Sequence, residues 1–161
     1  MALPGTFLPF DKILCPIDFS EPSYTALKAA GELSIHFSSR VTLLHVLHPI
    51  PVVKDAAGAA HATGEDTGPS HRDDLEEVAL ASLREVGDEE GLTGERVSLV
   101  VLRDDPAEGI VHFSSDQGHN LIVIATHGRT GWRRSVFGSV AERVIRLARC
   151  PVLTIGDPSE W

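Results

Sequence analysis

Five short runs in this chain are apolar at nearly every residue, and segments with helical spacing separate them. This alternation constrains the fold more than any other feature. The runs are Lys12–Ile17 (KILCPI), Arg40–Leu47 (RVTLLHVL), Arg96–Leu102 (RVSLVVL), Leu121–Ala125 (LIVIA) and Val152–Ile155 (VLTI). A strand apolar on both faces has to be covered on both faces, which points to a buried parallel sheet. The intervening segments supply the cover. Ser20 to Phe37 carries Leu27, Ala30, Leu33 and Phe37 at helical spacing, with Ser20 as N-cap and Pro22 in the first turn. Leu75, Val78, Ala79, Ser82 and Val86 mark one face of a second helix. Asp105-Pro106-Ala107-Glu108 opens a third in capping-box order, with Ala107, Ile110, Val111 and Ser114 as its inner stripe. Ser139-Val140-Ala141-Glu142 is a second capping box and opens a fourth, with Val140, Val144, Leu147 and Ala148 facing inward. The expected fold is α/β: an open, twisted, five-stranded parallel sheet with helices on both faces, joined by right-handed crossovers.

The chain of 161 residues is read as one domain, with a core over about 10–156. Between His48 and about Arg72, glycines, prolines and small residues interrupt the pattern. Residues 49–72 are expected to form a mobile surface loop, longer than the roughly 12–15 residues usual for structureless connections. A lid over a ligand is one role for it. No apolar run approaches membrane-span length, so no membrane partner is expected. The start lacks a basic segment followed by a long apolar one, and the two cysteines, Cys15 and Cys150, form no CxxC pair; a reduced, cytoplasmic setting is expected. A net charge of −9 argues against nucleic acid as a partner, since binding it requires neutralising phosphates.

Against this acidic background the segment from Leu121 to Val140 stands out. An apolar strand feeds into Thr126-His127-Gly128, then a stretch with Arg129, Arg133 and Arg134, then Gly138-Ser139-Val140 at a helix start. The first N–H groups of a helix lack internal acceptors and the dipole favours negative charge, so a strand, a glycine-bearing loop and a helix N-terminus make an anion site. Glycines at 128 and 138 allow close backbone approach and positive φ. Two readings of Ser139 stand: a plain helix cap, or a hydroxyl that also holds phosphate oxygens. Two readings of Asp18 stand as well. It is a turn or cap residue, or an acceptor for a ribose or adenine at the ligand edge of the first strand. His127 is a candidate phosphate donor and lacks a partner for base catalysis; His45, inside the second strand, reads as a hydrogen-bonded core histidine. Neither G-x4-G-K-[ST] nor G-x-G-x-x-G occurs, which excludes a P-loop and a dinucleotide fingerprint. The histidines show no metal-ligand spacing.

Taken together, Ile13-Leu14-Cys15-Pro16-Ile17-Asp18-Phe19-Ser20, Leu43-Leu44-His45-Val46, Thr126-His127-Gly128-Arg129-Thr130-Gly131, Gly138-Ser139-Val140-Ala141-Glu142-Arg143-Val144 and Cys150-Pro151-Val152-Leu153 resemble the universal stress protein family, ATP-binding type. The resemblance spans about Phe10 to Ile155. It implies strand order 3-2-1-4-5, which makes the first and fourth strands neighbours. It also implies a homodimer through the last strand, Val152–Ile155, and an ATP-binding regulatory role in the stress response with Mg²⁺ on the phosphates and no catalytic residue. By the same resemblance Asp18 and the backbone of Val46 face the adenosine. Gly128, Arg129, Gly138, Ser139 and Val140 face the phosphates, and Pro16, Ile17, Ala125, Thr126 and His127 complete the site. The pattern G-x2-G-x9-G-[ST] maps to Ala125, Gly128, Gly138 and Ser139, so its first glycine is alanine here. Asp104 replaces a frequent glycine near the mouth of the site, and Asn120 replaces a frequent aspartate before the fourth strand. The alternative function is a dimeric interaction module of the same fold that binds no nucleotide.

Overall fold

The structure, a computed structural model, describes residues 8–49, 52–54, 60–62, 69–126 and 138–156. Its elements in chain order are β1 (Lys12–Pro16), α1 (Glu21–Phe37), β2 (Arg40–Leu47), β3 (Val52–Lys54), β4 (Ala60–Ala62), α2 (Pro69–Glu89), β5 (Val97–Arg103), α3 (Pro106–Asp116), β6 (Leu121–Ala125), α4 (Ser139–Leu147) and β7 (Val152–Ile155). The main sheet is parallel, in the order β5-β2-β1-β6-β7. Counting its five strands alone, this is the order 3-2-1-4-5. Ile13 of β1 pairs with Val41 of β2 on one side and with Leu121 of β6 on the other.

The period-2 alternation of the main-sheet strands feeds two cores. Ile13, Cys15, Val41, Leu43, Leu121 and Val123 pack with Ala26, Leu27 and Ala30 of α1 and Leu83 of α2. Leu14, Leu44, Ile122 and Ile124 pack on the opposite face with Ala107, Ile110 and Val111 of α3 and Ala141 and Val144 of α4. The completely buried Leu14, Leu44, Ile122 and Val144 each contribute about 1.5–3 kcal/mol through removal from water.

Local signals set the helix starts. Ser20 caps α1 in a reciprocal box with Ser23, and Pro22 sits in the first turn. Asp105 caps α3, accepting from the N–H groups of Ala107 (3.1 Å) and Glu108 (3.2 Å). Asn120 uses both ends of its amide: its oxygen accepts from Lys12 N–H (3.1 Å), and its nitrogen donates to the Pro9 carbonyl (3.0 Å) and to Asp11 Oδ1 (2.6 Å). An aspartate there would have no proton to donate.

Several expectations are corrected. The box expected at α3 is half formed, because Glu108 turns to Arg143 instead of back to the cap. The box expected at α4 is absent: its N-cap is Gly138, and Ser139 is already the first helical residue. Leu147 is exposed, since it ends the last turn of α4 beyond the core. Val78 and Leu75 of α2 also face out, and Ala79, Leu83 and Val86 form the inner stripe. The loop expected over residues 49–72 contains an antiparallel hairpin, β3 with β4, and α2 already starts at Pro69. Strands of three residues are too short to register as periodicity. The lid reading rests largely on residues outside those described.

Candidate functional site

β1 delivers its chain to the centre of the sheet's C-terminal edge, between β2 and β6. Ile17 N–H still bonds the Leu44 carbonyl at 2.8 Å, and then the backbone turns sharply. Phe19 makes the turn with φ 61, a left-handed conformation that a bulky residue adopts only when its surroundings hold it. Here the Phe19 ring packs on His45, centroids 4.6 Å apart. His45 Nδ1 donates to the Ile17 carbonyl at 2.7 Å, so this histidine is hydrogen-bonded, as expected. Asp18 Oδ1 accepts from Ser20 N–H (3.1 Å) and from the Ser20 hydroxyl. The structural reading of Asp18 therefore holds, and the functional one remains compatible with it, because a carboxylate has about four lone-pair sites.

Across the cleft, β6 ends at Ala125. Thr126 N–H bonds the Ile155 carbonyl at 2.9 Å, and the Thr126 carbonyl accepts from Gly138 N–H. The first intrahelical bond of α4 is Glu142 N–H to the Gly138 carbonyl (3.0 Å), and among the described residues no side chain caps this helix. The N–H groups of Ser139, Val140 and Ala141 thus have no acceptor within α4. Gly138 has φ −68 and ψ 156, which any residue adopts. The conformational reason for a glycine at 138 is therefore removed, and the steric one, room beside the helix start, is left.

These two edges border one cavity of about 480 Å³. That is within the size range of small-ligand sites, roughly 300–1,000 Å³. Pro16, Ile17, Asp18, Val46, Ala125, Thr126, Gly138, Ser139 and Val140 all line it. His127, Gly128 and Arg129 lie outside the described residues. Leu44, Val46, Ile110, Ile124, Pro106 and Val140 give the cavity apolar walls suited to a planar base. Among the described lining residues Asp18 is the only carboxylate or cationic Lys/Arg side chain, and His45 and His48 also contribute. Asp104 is absent from the lining; its carboxylate folds back to accept from Asp105 N–H at 2.8 Å. Asp104 therefore does not form part of the cavity wall. Among the described residues no group of three His, Cys, Asp or Glu side chains could hold a metal ion.

Sequence reasoning missed the wall made by Pro106 and Ile110 and the contribution of His48. The signal was available. Pro106 and Ile110 are four residues apart at the start of a helix, and that helix follows a strand whose C-terminal end lies at the ligand edge.

The universal stress protein family model matches residues 9–156. The universal stress protein MJ0531 of Methanocaldococcus jannaschii is 32% identical over 151 residues, covering 94% of this chain and 85% of that protein. The solved structure of MJ0577 from the same organism superposes with a TM-score of 0.75 at 28% identity, covering 92% of this chain and 96% of the other. A universal stress protein of Archaeoglobus fulgidus in complex with dAMP superposes with a TM-score of 0.57 at 26% identity, covering 91% and 98%. With the sheet order, the site geometry and the match across nearly all of its length in agreement, this chain belongs to the universal stress protein family.

Proposed function

We propose that this protein is an adenine-nucleotide-binding regulator of the stress response, a cytoplasmic homodimer that holds ATP with Mg²⁺ on the phosphates. The observation that carries this reading is that one cavity is bordered both by Asp18 and by the start of α4. The adenine lies in the slot between Val46, Ile110 and Ile124, and Asp18 accepts from the ribose or the base. The N–H groups of Ser139 and Val140 meet phosphate oxygens, aided by the helix dipole, which is worth about 0.3–1 kcal/mol for a nearby anion. Mg²⁺ is carried by the phosphates. The relative from Archaeoglobus fulgidus bound to dAMP supports an adenine ligand. No catalytic residue is assigned; binding biases the protein toward a partner-competent state by its differential affinity for that state.

Ala125 favours a second reading, a dimeric interaction module that takes no nucleotide. It lines the cavity at the position where the family's nucleotide pattern carries glycine. One experiment separates the two. Purified protein is denatured and its supernatant assayed for nucleotide, and native protein is titrated with millimolar Mg-ATP while its unfolding temperature is followed. Released adenine nucleotide or a rise in melting temperature supports the first reading. Neither result leaves only the second. Steady ATP turnover abolished by His127→Ala would instead make the protein an enzyme.

A further inference from the structure

The two walls of the cavity are joined by an ion-pair fork that the nucleotide reading does not use. Arg143, in the second turn of α4, reaches across to α3. Its Nη1 donates to both carboxylate oxygens of Asp105 at 3.0 Å, and its Nη2 donates to Glu108 Oε1 at 3.1 Å. The same Asp105 oxygen that caps α3 through Ala107 and Glu108 therefore also anchors α4. α3 contributes Pro106 and Ile110 to the cavity, and α4 contributes Ser139, Val140 and Ala141. Among the described residues no side chain caps α4, and the polar ties at its start include the Gly138–Thr126 backbone bond and this fork.

We infer that Arg143 is a positioning residue for the ligand, holding the first turn of α4 against the N-terminus of α3 so that its free amides stay aimed into the cavity. The inference rests on the nucleotide reading for its ligand and on the fork geometry for its mechanism. Side-chain exposures of 37% for Arg143, 39% for Asp105 and 51% for Glu108 make the fork a weak contributor to overall stability. Its effect is on orientation: a planar guanidinium can grip two carboxylates at once, whereas an ammonium is a point charge without that fixed fork.

The test compares Arg143→Lys and Arg143→Met with wild type, measuring Mg-ATP and adenosine binding by calorimetry. Adenosine has no phosphate to reach the α4 amides. Both variants are expected to weaken Mg-ATP about three- to tenfold through lost preorganisation, while adenosine affinity changes less than about twofold. The melting temperature is expected to stay nearly unchanged. Wild-type Mg-ATP affinity in Arg143→Lys, with loss only in Arg143→Met, would make charge rather than geometry the cause and overturn the inference. Equal losses for both ligands, or no loss at all, would overturn it too. If wild type binds neither ligand, the nucleotide reading fails and the positioning role fails with it. The fork itself is then judged by hydrogen exchange at the Glu142 amide, which is faster in both variants if the fork orders the first turn and unchanged if it does not.

Discussion

Gly109 of α3 lies against Val46 of β2 so closely that a β-carbon on Gly109 would stand 3.4 Å from Val46 Cγ1 and 3.0 Å from Asp104 Cβ. A glycine inside a helix costs about 1 kcal/mol relative to alanine, so close packing must be what favours it here. Both neighbours are short side-chain atoms tied to their backbones and yield little. Gly109→Ala is expected to shift α3 outward. Overpacking of about 1–3 kcal/mol exceeds the gain in helix propensity, for a net stability loss of about 1 kcal/mol. Because Val46 and Ile110 both line the cavity, nucleotide affinity should fall as well. Urea unfolding and calorimetry check the two effects, and a more stable Gly109→Ala protein would contradict the packing argument.

Asp18 and Gly138 test the two sides of the site separately. Asp18→Ala should weaken adenosine and ATP alike, by about 1–3 kcal/mol if a bond to ribose or adenine is lost. Part of any loss will reflect the Ser20 contacts, so Asp18→Asn, which keeps an acceptor oxygen, should recover part of it.

Gly138→Val should leave the fold intact, because φ −68 and ψ 156 suit valine. It should selectively block ligands with phosphates by adding bulk at the α4 start. Undiminished ATP affinity in this variant would place the phosphates elsewhere.

His119 gives the folded state an acid-sensitive element. It is 5% exposed, its Nε2 lies 3.0 Å from Thr42 Oγ1, and its Nδ1 is buried with no hydrogen-bond partner among the described residues. Burial first, then the nearby Lys12 charge, push its pKa down from 6.5 to about 4. The unfolded chain therefore takes up this proton at a higher pH than the folded chain does. The stability from neutral His119 is complete above about pH 6.5 and is lost as pH falls toward 4, by an amount on the order of 2 kcal/mol. Asp105, held below its ordinary range chiefly by the Glu108 N–H and then by Arg143, contributes stability above that range and loses it only at more acid pH. Urea midpoints measured from pH 7 to 4 should fall in wild type and flatten in His119→Gln. Identical slopes would remove His119 as the cause.

The proposed homodimer through β7 has a backbone test. The Pro151 and Ile155 carbonyls accept from Ile122 and Thr126 N–H, which turns those residues toward β6 and, by alternation along a strand, turns Thr154 N–H to the open edge. Thr154→Pro removes one outward donor and spares the β6 ladder. Sedimentation should show monomer for this variant and dimer for wild type, with similar melting temperatures for the folded protomer. A dimeric Thr154→Pro protein would move the interface off this edge.

Much of the fold was legible because it is written locally. Strands such as Ile13–Pro16 and Leu121–Ala125 are apolar on both faces, and Ser20 and Asp105 are oxygen-bearing caps with a Pro in the first turn that follows. Where the sequence misled, two local solutions had nearly equal merit. Ser139 and Gly138 can each start a helix, and Glu108 can close its own capping box or join Arg143. The three-dimensional presence of Arg143, thirty-odd residues away in sequence, settles the second choice. In the site, Asp18 and Gly138 were recognisable singly, as a carboxylate ending a strand and a glycine beginning a helix. The Pro106–Ile110 wall carried a local signal too, a helix start that follows a strand end, but its place at the cavity depends on which strand end the third helix packs beside.

Taken by itself, the sequence determined the kinds of element, their order along the chain and the need for a sheet buried on both sides, since burial periodicity is a property of neighbouring residues. Tertiary structure decided what meets what. β1 lies beside β6 through contacts such as Lys12 with Asn120, 108 residues apart, and only that adjacency brings Asp18 and the start of α4 to one cavity. Such pairings are chosen by the packing of the whole core against the entropy of closing long loops, and no local pattern carries that balance.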